Sequence, residues 1–164
     1  MWEYRSDPEV ARYQLHGPAT PEELSSEIEY QLTTEPGTPG VPLTLAVESE
    51  GRVIGECQLT IKSRESRQGV LGYQFNPRFT GRGFATRAVA ITLRIGFQHL
   101  GLHRIVAETD VRNERSCRLL ERIGMRREAH FLHDQFVRGE WADSYLYAML
   151  EHEWLSHCGD LASR

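Results

Sequence analysis

Asn76-Pro77-Arg78-Phe79-Thr80-Gly81-Arg82-Gly83-Phe84-Ala85-Thr86-Arg87-Ala88 decides the reading of this chain. Ahead of it, Val70-Leu71-Gly72-Tyr73-Gln74-Phe75 has the β-branched and aromatic content of a buried strand, with Pro77 to close it. Behind it runs a helical pattern. Phe84, Ala88, Ile91, Thr92 and Ile95 fall on one stripe, and Ala85, Val89, Leu93, Gly96 and Leu100 on the next. A strand, a glycine turn and a helix N-terminus together make an anion site, because the first helical N–H groups lack intrahelical partners and the helix dipole turns its positive end toward the turn. Gly81 and Gly83 remove the Cβ atoms that would hold a phosphate away from those N–H groups. The guanidinium groups of Arg78 and Arg82 add positive charge. The stretch predicts a cradle for a diphosphate, although Gly-x-Gly alone is also compatible with a plain turn into a helix.

Two other phosphate motifs do not fit. No Gly-Lys-Ser/Thr follows, so the stretch is not a P-loop. A dinucleotide fingerprint needs Gly or Ala where this chain has Thr86. What remains is Arg78-Phe79-Thr80-Gly81-Arg82-Gly83, which resembles the acyl-CoA pyrophosphate loop of the GNAT acetyltransferase superfamily. The resemblance continues through Leu100-Gly101-Leu102-His103-Arg104-Ile105 and through Asn113-x-x-Ser116-x-x-Leu119-Leu120-Glu121-Arg122-Ile123-Gly124-Met125. It ends with Gly139-x-Trp141-x-Asp143-x-x-x-Tyr147-Ala148-Met149-Leu150-x-x-Glu153-Trp154. This order is similar to the RimJ/RimL branch, whose members acetylate α-amino groups of ribosomal proteins and related amines. The match spans about residues 43 to 154, with an echo at Ser6-Asp7-Pro8-Glu9-Val10-Ala11.

Composition fits one soluble globular domain. The chain has 164 residues, 40% of them hydrophobic and 26% charged. A net charge of -4 gives no electrostatic case for general nucleic-acid binding. Three cysteines, Cys57, Cys117 and Cys158, have no paired spacing, so neither a disulfide framework nor a zinc site is indicated and no metal is expected. The sequence holds neither a membrane-length apolar run nor a signal-peptide pattern, and a reduced cytoplasmic setting is expected.

In chain order, Asp7 and Pro8 predict a short helix within residues 1 to 16, with Val10, Ala11 and Tyr13 as apolar contacts. Thr20-Pro21-Glu22-Glu23 predicts a capping box opening a second helix, with Leu24, Ile28 and Leu32 as its buried stripe. Residues 33 to 42 read as a loop. Leu43 to Val47 and Val53 to Ile61 predict a hairpin, and Ser63 to Gln68 a polar turn. The strands and helices that follow give an α+β fold with a mixed sheet. Residues 1–155 read as a single domain and 156–164 as a polar tail expected to fray. The resemblance implies the GNAT fold, with its central sheet splayed in the middle and flanked by helices. It also implies a strand ahead of the first helix, which the sequence does not supply. That leaves a sheet edge open to another chain, and a homodimer is possible.

The resemblance further implies acetyl-CoA as cofactor, with its diphosphate on Gly81, Arg82, Gly83, Phe84, Ala85 and Thr86 beside Arg78. Its pantetheine arm would lie along Gln74 and Phe75, in the gap that opens beside the strand from Arg104 to Asp110. Asn113 would contact the pantetheine region and Ser116 the coenzyme sulfur, which makes Ser116 the acid that protonates the leaving thiolate. The residues alone also allow plain helix capping for Asn113 and a bond back to its own helix for Ser116. RimJ/RimL enzymes often carry a glutamate where this chain has Val70. Asp110 is therefore the first substitute as base, with Glu56, His130 and His133 behind it. Tyr13, His16, Tyr30 and Asp143 are candidate acceptor contacts, and a structural role competes for each. The expected reaction is direct attack of a primary amine, either a small molecule or a peptide or protein N-terminus, on acetyl-CoA. A rival reading is a catalytically weak acyl-CoA-binding sensor of the same fold. A nucleotide-binding oxidoreductase is a more distant rival, and Thr86 argues against it.

Overall fold

The computed structural model describes residues 1–14 and 16–161, with 157–161 as backbone only. Six strands form one sheet: β1 (Pro42–Ser49), β2 (Arg52–Ser63), β3 (Gln68–Phe75), β4 (Arg104–Asp110), β5 (Arg126–Val137) and β6 (Glu140–Leu150), in the spatial order β1-β2-β3-β4-β6-β5. The helices are α1 (Trp2–Arg5), α2 (Pro21–Thr33), α3 (Phe84–Arg94), α4 (Glu114–Arg122) and α5 (Glu151–Leu161). The β3–β4 pair is parallel and its neighbours are antiparallel, so the sheet is mixed as expected.

Turn chemistry sets the hairpins. Glu50 and Gly51 both have positive φ, as do Arg138 and Gly139, and each pair closes a two-residue turn whose twist matches that of its strands. On one sheet face Cys57, Leu59, Leu71, Ile105, Tyr147 and Met149 pack against Val89 and Leu93 of α3, Leu119 and Leu120 of α4, and Trp154 of α5. Away from that cluster, Tyr4 of α1, Leu24 of α2 and Ile54 of β2 are also buried.

The feature that positions the site is a divergence of strands. β3 and β4 pair only at Gln68↔Arg104, Gly69↔Ile105 and Val70↔Val106. Beyond Val70 the two strands part, while β3 stays paired to β2 as far as Gly55↔Phe75. The Asn76 N–H donates to the Ile54 carbonyl at 2.8 Å, on the β2 side. Because amides alternate sides along a strand, those of Tyr73 and Phe75 face the opening cleft.

Several expectations need correction. No α-helix starts at Pro8. The Asp7 carboxylate accepts from Glu9 N at 2.9 Å, only a 3₁₀ turn follows at Ala11–Tyr13, and the helical turn lies earlier, at α1. The capping box at Thr20 is present, yet of the stripe on α2 only Leu24 is buried, with Ile28 at 43% and Leu32 at 81% exposure. On α3 the two stripes share the core, with Val89 and Leu93 of the second and Thr92 of the first buried and Ile91 47% exposed. Part of the stretch read as a tail lies within α5, which runs to Leu161, and residues 162–164 lie outside the described residues. As the sequence suggested, no strand precedes β1 among the described residues, and the outer edge of β1 is one of the two open edges of the sheet, β5 forming the other.

Candidate active site

Asn76 closes β3 and shapes the loop that follows. It is 5% exposed, and its Oδ1 accepts from Arg78 N at 3.0 Å to start the single turn Pro77–Phe79. Thr80 Oγ1 donates to the Pro77 carbonyl at 2.8 Å and holds the turn shut. Gly81 and Gly83 both have φ of 77°, a left-handed conformation that disfavours any side chain. Gly83 caps α3 without a side-chain acceptor, and the first helical bond runs from Arg87 N to Gly83 O at 3.1 Å. The N–H groups of Phe84, Ala85 and Thr86 precede that bond and point out of the helix.

These N–H groups border a cavity of about 440 Å³ that also touches Phe75, Phe79, Gly81 and Gly83. Phe75 reaches it because Gly55 lies opposite on β2: a Cβ on Gly55 would stand 2.2 Å from the Phe75 ring. The cavity's positive charge comes from residues the sequence reading missed. Arg115, Arg118 and Arg122 of α4 form its far wall. Arg78 turns away to pair with Glu3 at 3.1 Å. Arg82 lies over the Phe79 and Phe84 rings at 5.8 and 5.1 Å, and 3.7 Å from Glu50. Open left-handed glycines, unpaired N–H groups, an aromatic wall and a cationic wall fit the phosphorylated end of a coenzyme.

Ser116 and Asn113 open α4 beside the cleft. Asn113 Oδ1 accepts from Ser116 N at 3.2 Å, which is helix capping. Ser116 Oγ does not bond back to its own helix; it lies 2.7 Å from the Tyr73 hydroxyl. Tyr73 was not singled out from sequence. Only the Leu-Gly-Tyr run marked it, and nothing in that run reveals its partner. Burial raises the phenol's pKa, so it remains a protonated hydrogen-bond donor at neutral pH.

Gln74 faces the opposite side of β3, as strand alternation requires. It lines a cavity of about 600 Å³ with Arg5, Gln14, His16, Glu23 and Glu27. Behind it lies Glu56, fully buried. One of its oxygens accepts from Gln74 Nε2 at 2.8 Å and lies 3.4 Å from Arg5 Nη1, which reaches Glu27 at 2.9 Å. Its other oxygen is buried without a partner, and burial raises this carboxyl's pKa.

Gln14 also borders a second cavity, of about 180 Å³, which brings Tyr13, Asp110 and Asp143 together. Asp110 is held by Arg112, through the backbone N–H at 2.8 Å and through Nε and Nη2 at 2.9 and 2.6 Å, so both its oxygens are engaged. Asp143 accepts from His133 N at 2.9 Å and lies 3.2 Å from His130 Nε2. These bonds, the backbone one foremost, hold its carboxyl below the usual range. Tyr30 borders neither cavity and is 57% exposed on α2.

The chain matches the acetyltransferase (GNAT) domain family over residues 1–126. It belongs to the GNAT family. Among its GNAT relatives, the uncharacterized N-acetyltransferase YnaD of Bacillus subtilis is 32% identical, over 94% of this chain and 88% of that protein. The spermidine N(1)-acetyltransferase of Escherichia coli K12 is 24% identical over 67% of this chain and 59% of that one. A GNAT acetyltransferase from Bacillus anthracis superposes with a TM-score of 0.80 at 30% identity, covering 93% of this chain and 87% of that one. The Vibrio cholerae spermidine N-acetyltransferase, solved with CoA and spermine, shares the fold with a TM-score of 0.81 at 20% identity, over 94% and 89% of the two chains. This GNAT protein is an acetyl-CoA-dependent N-acetyltransferase. No helix of the described residues is long and apolar enough to cross a membrane.

Proposed function

We propose that the protein acetylates a primary amine by direct attack, in the manner of the RimJ/RimL branch, with the acceptor entering from the α2 side of the sheet. The observation that carries this reading is the gap between β3 and β4, which has the loop cavity on one face and the cavity of Gln74 and Glu27 on the other. Acetyl-CoA supplies an acyl group activated as a thioester. The N–H groups of Phe84, Ala85 and Thr86 hold the diphosphate, and the cleft-facing amides of Tyr73 and Phe75 bind the arm and polarise the carbonyl.

Ser116 donates a hydrogen bond to the leaving sulfur, and Tyr73, donating to Ser116 Oγ, leaves the serine proton free to point at it. On the acceptor side, Glu27 and the Glu56–Gln74 pair provide negative charge and a proton acceptor. Asp110, locked by Arg112, serves to hold charge in the smaller cavity with Asp143. Named relatives support two acceptor classes: polyamines, as in the spermidine enzyme, and a protein alanine, as in the Escherichia coli ribosomal protein uS5-alanine N-acetyltransferase. The free thiols of Cys57 and Cys117 are compatible with a reducing cytoplasm.

The test is release of free CoA thiol from acetyl-CoA with a panel of polyamines, monoamines and short peptides bearing free α-amino termini. Turnover with at least one amine is expected. Tight CoA binding with no thiol release from any amine favours the rival reading of a sensor module, for which Val70 in place of a carboxylate is the supporting feature.

A further inference from the structure

Gln74 has two neighbours and one amide to offer them. Its Nε2 donates to Glu56 Oε1 at 2.8 Å, while its side chain lines the cavity bordered by Glu23 and Glu27 of α2. Glu56 is 0% exposed and lies behind that wall. Against burial, which raises its pKa most, Arg5 at 3.4 Å and the Gln74 N–H favour its ionised form. An ionised carboxylate only accepts hydrogen bonds, so the NH2 end of Gln74 must face it. The carbonyl end is then turned away from Glu56, and no group among the described residues donates to it. The carboxylates on the cavity wall are already engaged. Glu27 accepts from Gln31 at 3.4 Å and pairs with Arg5 at 2.9 Å, and Glu23 accepts from Thr20 N at 2.8 Å. Gln74 also follows Tyr73 and precedes Phe75, whose amides face the cleft between β3 and β4. A molecule in the cavity that meets Gln74 stands at the border of that cleft.

We infer that the Gln74 carbonyl oxygen accepts a hydrogen bond from the acceptor's amine and so orients the nitrogen toward the thioester, with Glu56 as the positioning residue that fixes which end of the amide faces the cavity. This rests on the reading that the acceptor enters from the α2 side of the sheet. The choice of end matters chemically. A neutral primary amine has two N–H groups and one lone pair, so a carbonyl takes an N–H and leaves the lone pair free to attack. A reversed amide would donate its NH2 to that lone pair and mask the nucleophile. The Gln74 side chain thus serves the acceptor, and only its strand serves the pantetheine arm with which the resemblance grouped it.

The experiment is steady-state thiol release by the full chain, with spermidine or an alanine-led peptide as acceptor, whichever is turned over, beside calorimetric titration with CoA. Gln74→Met keeps the length of the side chain without its carbonyl. It is expected to raise the acceptor KM about tenfold, the scale of one hydrogen bond to a charged group, while the Kd for CoA holds. Glu56→Gln has the same shape but lets the Gln74 amide reverse, and should raise the acceptor KM and lower kcat several-fold with CoA affinity kept. The double variant should lose no more than Gln74→Met alone, because the two residues act through one bond. Thermal melting checks that each variant folds, and Gln74→Met decides the orienting role if Glu56→Gln does not fold. Unchanged acceptor kinetics in Gln74→Met, or a loss of CoA affinity as large as the loss for the amine, overturns the assignment. A Glu56→Gln loss that persists in full beside Gln74→Met shows that Glu56 acts by another route and overturns its positioning role. No thiol release with either amine from the unmodified protein marks instead the failure of the acceptor reading, and this inference falls with it.

Discussion

Ser116 and Tyr73 meet through hydroxyl groups 2.7 Å apart at the mouth of the cleft. A serine proton is a poor acid in water, so in the proposed mechanism its value would lie in being aimed at the sulfur as charge develops there. Ser116→Ala is expected to lower kcat by about ten- to a hundredfold, toward the low end of acid–base contributions, with acetyl-CoA affinity kept. Tyr73→Phe should lower kcat less. Because the two act through one hydrogen bond, the double variant should lose little beyond Ser116→Ala. Fully additive losses in a steady-state thiol assay would mean that the hydroxyls work apart. Gly83 sets a different requirement, since its φ of 77° is strained for any L side chain by about 1–2 kcal/mol. Gly83→Ala should raise KM for acetyl-CoA about tenfold with kcat nearly unchanged. The glycine turn marked Gly83, and the family resemblance marked Ser116. The sequence could not announce Tyr73 or Arg115, whose roles depend on α4 folding back over β3.

At the scale of elements, β2 and β3 deliver Phe75 to the loop cavity because Gly55 leaves room for its ring. Gly55→Ala should force that ring aside and cost about 1–3 kcal/mol in denaturant unfolding, as overpacking does, while weakening CoA binding. The far end of the sheet is joined differently. Glu128 on β5 pairs with Arg104 on β4 and Arg126, and Arg126 also reaches Glu153 on α5. The hydrogen bond from Arg104, then that from Arg126, lowers the Glu128 carboxyl from 4.5 to about 2. A depressed carboxylate stabilises the fold above its unfolded pKa and ceases to do so as pH falls through its folded one. Glu128→Gln should therefore lower Tm at neutral pH by about 2–4 °C, for a partly exposed network worth about 1 kcal/mol, and the difference should vanish between pH 4.5 and 2. Element types followed the sequence closely where turn chemistry was strong, as at Thr20 and Glu50-Gly51. How much of the α2 stripe is buried did not, because an apolar stripe is covered only as far as something packs against it.

For the whole molecule, ligand binding should register as stability. CoA at a hundred times its Kd should stabilise the folded state by about 2.7 kcal/mol, which raises Tm by about 5–10 °C for a chain of this size. A melting scan showing no shift with CoA would contradict the loop assignment, and a comparable shift with NAD would reopen the nucleotide reading. The open outer edge of β1 is where a second copy would pair if the chain dimerises, an outcome that sedimentation velocity can decide.

The amino-acid sequence by itself determined the elements that depend on neighbours along the chain: the glycine turn into α3, the capping box, the β1–β2 hairpin and the order of strands and helices that marks a GNAT fold. Only the tertiary structure decided where β3 and β4 part, that Arg78 leaves the loop for Glu3 while α4 supplies three other arginines, and that Asp110 is already claimed by Arg112. The physical reason is range. A turn or a cap is fixed by torsions and bonds within a few residues, whereas the partner of a charge or a hydroxyl is whichever distant group packing brings within about 3 Å.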